Sequence, residues 1–161
     1  MKRCTQCEQG GMLVERAVEN SREVAGHLFV AFIPAKTCSR CKAVYFEASV
    51  IERFELHVAG KLADSGVSSG EAFRFMRKAL GMRAVDLAGL LDVAPETVSR
   101  WETDKRSADR GAVALLGALV RDMLEGRTST LDGLQALREP RPLAKTIRIE
   151  IAEDLAHAVG A

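Results

Sequence analysis

A chain of 161 residues with 47% apolar and 28% charged side chains has room for one domain or two small ones, and is too apolar to be disordered. Its formal net charge of +1 supplies no global basic field, so contact with nucleic acid would depend on locally placed cations. No apolar run approaches the ~18 residues that span a bilayer, and the opening "MKRCTQCEQGGMLVE" has no signal-peptide core. A cytoplasmic protein with no membrane partner is therefore expected. In that compartment thiols stay reduced, so the four cysteines point to metal or redox chemistry rather than structural disulfides.

The chain begins with Cys4-Thr-Gln-Cys7 and repeats the spacing at Cys38-Ser-Arg-Cys41 after 30 intervening residues. Two such knuckles can bring four thiolates into a tetrahedron, the geometry of structural zinc. The short spacing lets backbone N–H groups point back at the sulfurs, and Gly10 and Gly11 ease the turn after the first knuckle. Cys4, Cys7, Cys38 and Cys41 are the expected ligands of one structural Zn2+ per chain. Four protein ligands leave no open position for water, so a catalytic zinc is not expected. The alternative is a redox Cys-x-x-Cys, which needs a strand and a helix N-terminus to lower a thiol pKa. His27 lies between the knuckles and is a substitute ligand in principle; a partly exposed histidine is the plainer reading for His27, His57 and His157 alike.

Between the knuckles, "MLVERAVENSREV" alternates in part and "HLFVAFIPA" is a short apolar run, both suited to strands, with Pro34 expected to end the second. Val50, Ile51, Phe54, Val58 and Leu62 then fall at helical intervals, with Gly66 as a stop. The polar "DSGVSSGE" marks a boundary, giving a zinc-binding domain over 1–66.

Helices are predicted over about 71–79, 84–91, 95–103 and 109–125, with a shorter one in "LDGLQALREP" ended by Pro140. Within "RKALGMRAVDLAGLLDVAPETVSRWETDKR" the layout is that of a helix-turn-helix. Ala88 is the small residue needed where its two helices cross. Leu87, Leu91, Val93, Val98 and Trp101 form an inward seam. Asp92 tolerates the left-handed turn, and Pro95 fits the first helical position. The outer face of the recognition helix carries Glu96, Thr97, Ser99, Arg100 and Thr103. Arg100 can bond guanine O6 and N7 together. Lys105, Arg106 and Arg83 suit phosphate, and Arg74, Arg77 and Lys78 read either as phosphate contacts or as a solvated face. Glu96 sits in the first turn, four residues before Arg100, where it favours the helix dipole, can pair with Arg100 and can accept from cytosine N4. The bland alternative is a helical module in which "SRWE" only packs. The DNA-binding domain is bounded at 67–127.

Residues 128–161 form an extension: the short helix, the linker "REPRP", and "KTIRIEI", whose strict alternation predicts a half-buried strand with Ile147, Ile149 and Ile151 on one face. Those isoleucines need a cover. The choices are an antiparallel ribbon with a dimer mate or addition to the first domain's own sheet. "AEDLAHAV" fits one or two helical turns. The fold class is thus α+β: a small zinc-binding β domain with a helix, an all-α lambda-repressor-like helix-turn-helix domain, and a C-terminal strand.

Taken together, "CTQC", "CSRC", "VYFEASVIERFE" and "LDVAPETVSRWETDKR" resemble the MqsA-type antitoxins, which join a YgiT-type zinc finger to an Xre-type helix-turn-helix; the resemblance covers about residues 1–125. It implies a structural zinc domain that contacts a small ribonuclease toxin, and a dimeric domain that binds a palindrome in its own promoter. The family's base-reading positions fall on Glu96 and Arg100. Arg100 matches, whereas the family typically has an amide at the position of Glu96. Ala84 stands where Xre-type domains usually have a phosphate-binding Gln, and Ala94 where they have a capping Ser or Thr. The expected protein is a non-enzymatic repressor and antitoxin, a homodimer on palindromic double-stranded DNA with a toxin partner. The alternatives are a regulator without a toxin and a thiol redox switch.

Overall fold

The computed structural model describes residues 3–7 and 10–149. It is a mixed α+β fold: among the described residues a three-stranded antiparallel sheet precedes six helices. Strands β1 (Leu13–Val24) and β2 (His27–Cys38) form one long hairpin in unbroken register from Leu13–Cys38 to Val24–His27. Ala25 and Gly26 close it with φ of 53° and 76°, the double left-handed turn whose twist matches that of the strands. Strand β3 (Val44–Tyr45) pairs with Lys36 and Thr37 on the far side of β2.

Pro34 does not end β2, which runs four residues beyond it. The reason lies in the alternation of the ladder. The Cys38 amide donates outward to Ala43 O, while the Ser39 amide donates back to Met12 O. Even-numbered amides of β2 therefore point away from β1, and the N–H that proline lacks is one the hairpin never needed.

Helix α1 (Ala48–Asp64) buries Phe54, Val58, Ala59 and Leu62. It ends as expected at Gly66, φ +67°, where the Gly66 and Val67 amides bond back to Ala63 O and Leu62 O. Helices α2 (Gly70–Ala79), α3 (Ala84–Leu90), α4 (Pro95–Glu102) and α5 (Arg110–Leu124) match the expected spans to within a residue or so at each end. The side chains of Ser69 and Asp109 cap α2 and α5 by accepting the Ala72 and Ala112 amides. Helix α6 (Ser129–Arg138) is held at its start by Asp122, which accepts the Thr130 amide and the Ser129 hydroxyl. These bonds, the Thr130 amide first, hold the Asp122 carboxyl down at about 2.

The core is continuous. Phe73, Met76, Leu87, Val98, Trp101, Leu116 and Val120 share it with Phe54, Val58 and Leu62 of α1 and with Val24 and Ile33 of the hairpin. Trp101 meets Phe73 edge-on at 5.7 Å between centroids. Helix α1 packs chiefly on α5 and α2, so buried contacts cross the sequence boundary at 66/67. Small residues allow the close approach: a Cβ on Gly60 would stand 2.7 Å from Leu124, and one on Gly117 3.3 Å from Ala63.

The expected C-terminal strand is not formed over its described part. Residues 141–149 have no regular secondary structure, and Ile147 and Ile149 are exposed. Alternation makes a strand possible, but a strand exists only when its N–H and C=O groups find a partner, and among the described residues none pairs with this segment. Ile151 and the helical turns expected in "AEDLAHAV" lie outside the described residues.

Candidate functional site

The two knuckles converge. Cys4, Cys7, Cys38 and Cys41 have sulfurs all within 4.8 Å of one another. The Cys4–Cys41 and Cys7–Cys38 distances are 3.6 and 4.0 Å. Sulfurs ~2.3 Å from a tetrahedral ion stand ~3.8 Å apart, so the spacing fits a Cys4 metal site. These two contacts run between knuckles rather than within one, unlike a redox Cys-x-x-Cys, which closes on itself.

Backbone geometry makes the site. The Gly11 amide donates to Cys7 Sγ at 3.2 Å and the Arg40 amide to Cys38 Sγ at 3.4 Å. Gly10 and Lys42 take φ of 61° and 62° to turn each loop back. A Cβ on Gly11 would lie 2.6 Å from Cys38 Sγ, so position 11 has no room for a side chain. The Ser39 amide donates to Met12 O and the Cys4 amide to Gly11 O, which fastens the first knuckle to the end of the hairpin.

Tyr45 is a participant that sequence reading missed. Its hydroxyl lies 3.2 Å from Cys4 Sγ and is the main reason that thiol is pulled down to about 6. The signal was present: this is the only tyrosine in the chain, four residues after Cys41. Burial works against ionisation of Cys38, but the Arg40 and Cys41 amides outweigh it and lower that thiol. Cys41 accepts the Ala43 amide, yet burial and the neighbouring Cys38 and Cys4 sulfurs push it up to about 11. His27 is not a substitute ligand. It opens β2, edge-on to Phe29, at the opposite end of the strand from Cys38.

The second site is built on α3 and α4. Asp92 takes φ 52° after α3, and the Val93 amide closes the turn onto Ala88 O. Ala94 supplies no side-chain cap to α4, and Pro95 occupies its first turn. Val98 and Trp101 are buried, which turns Glu96, Ser99, Arg100 and Thr103 outward; Thr97 is half-buried at the flank. Thr103 Oγ1 donates to Ser99 O at 2.8 Å, and the Arg106 amide donates to Arg100 O, closing the end of the helix. Lys105 and Arg106 are exposed in the following turn. Among the described residues no ion pair joins Glu96 to Arg100, contrary to expectation. The exposed positions leave both side chains solvated rather than locked together.

Two arginines stand differently from the sequence reading. Arg77 lies on no solvated face: it is buried and forks onto Glu102, with Nε–Oε1 2.5 Å and Nη2–Oε2 3.1 Å, while Nη1 donates to Met82 O. It bolts α2 to α4 and to the turn before α3. Arg83 is exposed at the start of α3, but its guanidinium forks onto Asp86 at 2.8 and 2.9 Å, and that bond draws the Asp86 carboxyl down. Gly70 adds a third tie. Its amide donates to Asp104 Oδ1 at 2.7 Å, and a Cβ there would collide with Trp101 O.

A helix-turn-helix family model matches residues 73–116, which takes in most of α2, α3 and α4 entire, and the start of α5. No curated protein matches the chain. The matched segment supports a DNA-binding transcription regulator.

Proposed function

We propose that the chain is a sequence-specific transcriptional repressor that binds a palindromic operator as a homodimer through α4. One observation carries the reading: Arg100, with no ion-pair partner among the described residues, stands on the exposed face of a helix whose other face is fixed by Val98 and Trp101. In this reading Arg100 and Glu96 meet base edges, Ser99 and Thr97 flank them, and Lys105, Arg106 and Arg83 take phosphates. Asp86 offsets part of the Arg83 charge, which makes Arg83 the weakest of the three. A half-site containing a G·C pair follows from an Arg and a Glu on neighbouring turns.

The ion in the cysteine cluster is Zn2+ in this proposal, bound for structure by Cys4, Cys7, Cys38 and Cys41. All four ligand positions are protein sulfur, and thiolate softness selects zinc over the hard divalent ions. The functional division would fall near residue 66, with metal before it, DNA over 67–127 and an extension over 128–161. The order of knuckles and helix-turn-helix supports an MqsA-like antitoxin that represses its own operon and holds a small toxin. The residues at 84, 94 and 96 and the extension differ from that family, which favours a regulator without a toxin as the second reading.

The test is selection of bound sequences from a random DNA pool by the full chain and by Arg100→Ala. Enrichment of a palindrome with half-sites about one helical turn apart, lost or relaxed in the variant, supports the proposal. An unchanged preferred sequence refutes base reading by α4. Co-purification with the product of an adjacent gene decides between the antitoxin and the lone regulator.

A further inference from the structure

The alternation that sends even-numbered amides of β2 away from β1 leaves an edge. Strand β3 covers it only at Lys36 and Thr37. Among the described residues no strand pairs with the outward N–H and C=O groups of Leu28, Val30 and Phe32. These are also apolar and open, Leu28 at 66% and Phe32 at 70% exposure. Beside this edge runs a groove of about 870 Å³ between β2 and α1, with Phe29, Ile33, Phe54 and Val58 among its apolar lining residues. Along its rim Arg53, His57 and Lys61 recur every fourth residue and form a basic stripe. Among the described residues none of the three is ion-paired.

An occupant of this groove needs three properties. It must be an extended backbone to satisfy the edge, apolar at alternate positions on one face, and acidic where it meets the stripe. "KTIRIEIAED", residues 145–154, has all three. Ile147, Ile149 and Ile151 alternate with polar residues, and Glu153 continues their face with a negative charge. In the single chain the described part of this segment, residues 145–149, forms no strand, with Ile147 at 56% and Ile149 at 80% exposure.

We infer that residues 145–154 of a second copy of this chain add as a strand to the free edge of β2, with the isoleucines in the groove and Glu153, on the same face, against the basic stripe of α1. Each copy gives its tail and receives its partner's. The contact is reciprocal and closes as a dimer, and it does not depend on the DNA-binding reading.

The test uses the full chain with Val30→p-benzoylphenylalanine, a photo-crosslinking residue at the edge. Light and 15N-labelled protein are diluted to exchange subunits, reconcentrated and irradiated. The expected product joins position 30 to a peptide within 145–154, in mixed light–heavy pairs. Pairs of a single label only would place the tail in its own chain and overturn the inference, as would cross-links that miss the tail. Light scattering on Ile149→Asp gives an independent reading, because an exposed position can accept the change without loss of fold. A dimer weakened at least tenfold is expected, and an unchanged dissociation constant overturns the inference.

Discussion

From Leu13 to Cys38 the chain buries only Val24, Ile33, Ala35 and Cys38, whereas between Phe54 and Val120 it buries Phe73, Met76, Leu87, Val98, Trp101 and Leu116 among others. The first region has regular strands and almost no interior. A two-stranded hairpin on its own is marginal in water, because its cross-strand contacts barely offset the entropy of ordering it. What the hairpin lacks in buried carbon it is given at its ends: four sulfurs at one, and Val24, Ala25 and Phe29 against the helical core at the other. The helical region needs no such device. Its few polar ties, Arg77–Glu102 and Asp122 at the start of α6, refine a core that apolar packing has already made.

The largest effect expected from this contrast is on metal removal. Chelation, or Cys38→Ser, should abolish metal content measured per chain and expose residues 3–45 to hydrogen exchange, while the helical circular dichroism is mostly kept. Structural zinc sites contribute about 10–16 kcal/mol of apparent binding free energy. Equal protection of the hairpin with and without metal would erase the contrast. Next is Arg77→Ala, which leaves the largely buried carboxylate of Glu102 unpaired, at a cost of up to about 3–5 kcal/mol in urea unfolding. The double change Arg77→Met, Glu102→Leu should recover most of that loss, since the desolvation cost leaves with the pair.

Smaller still, Arg100→Ala should lose about 1–3 kcal/mol of discrimination between the selected operator and a base-substituted one, measured by competition binding. Its melting curve should match that of the parent, because Arg100 is exposed. The smallest effect is on α6, which buries no residue of its own. Asp122 has a lowered carboxyl pKa, so its contribution is complete above the ordinary value of 3.8 and is lost as pH falls through about 2. Asp122→Asn should flatten that part of the acid melting profile and leave the neutral-pH profile of the cysteine region untouched.

Much of this was legible in the sequence because two periodicities are strong in it. Helical spacing placed α1 to α5, Asp92 marked the turn before α4, and paired Cys-x2-Cys marked the cluster of four sulfurs. What escaped depends on partners distant in sequence. Arg77 looks like any surface arginine until Glu102, 25 residues on, is folded against it. Tyr45 acquires its role only when β3 lays it beside Cys4. Pro34 was misread because a proline's effect on a strand depends on which side its missing donor faces, and one sequence does not give the side. The isoleucine alternation was read as a strand, but pattern alone cannot provide the neighbour a strand requires.

Pro34 has a consequence for solubility. A long free sheet edge invites any extended chain, at any register, and at high concentration that ends in self-association without limit. Here the run of outward donors stops at Phe32, because the next even position has no N–H to offer and β3 takes over at Lys36. Among the described residues the edge therefore offers three free donors, at Leu28, Val30 and Phe32, and is closed at one end, which limits it to a short strand. Replacing Pro34 by valine would lengthen the sticky edge and should turn a selective dock into a precipitating one.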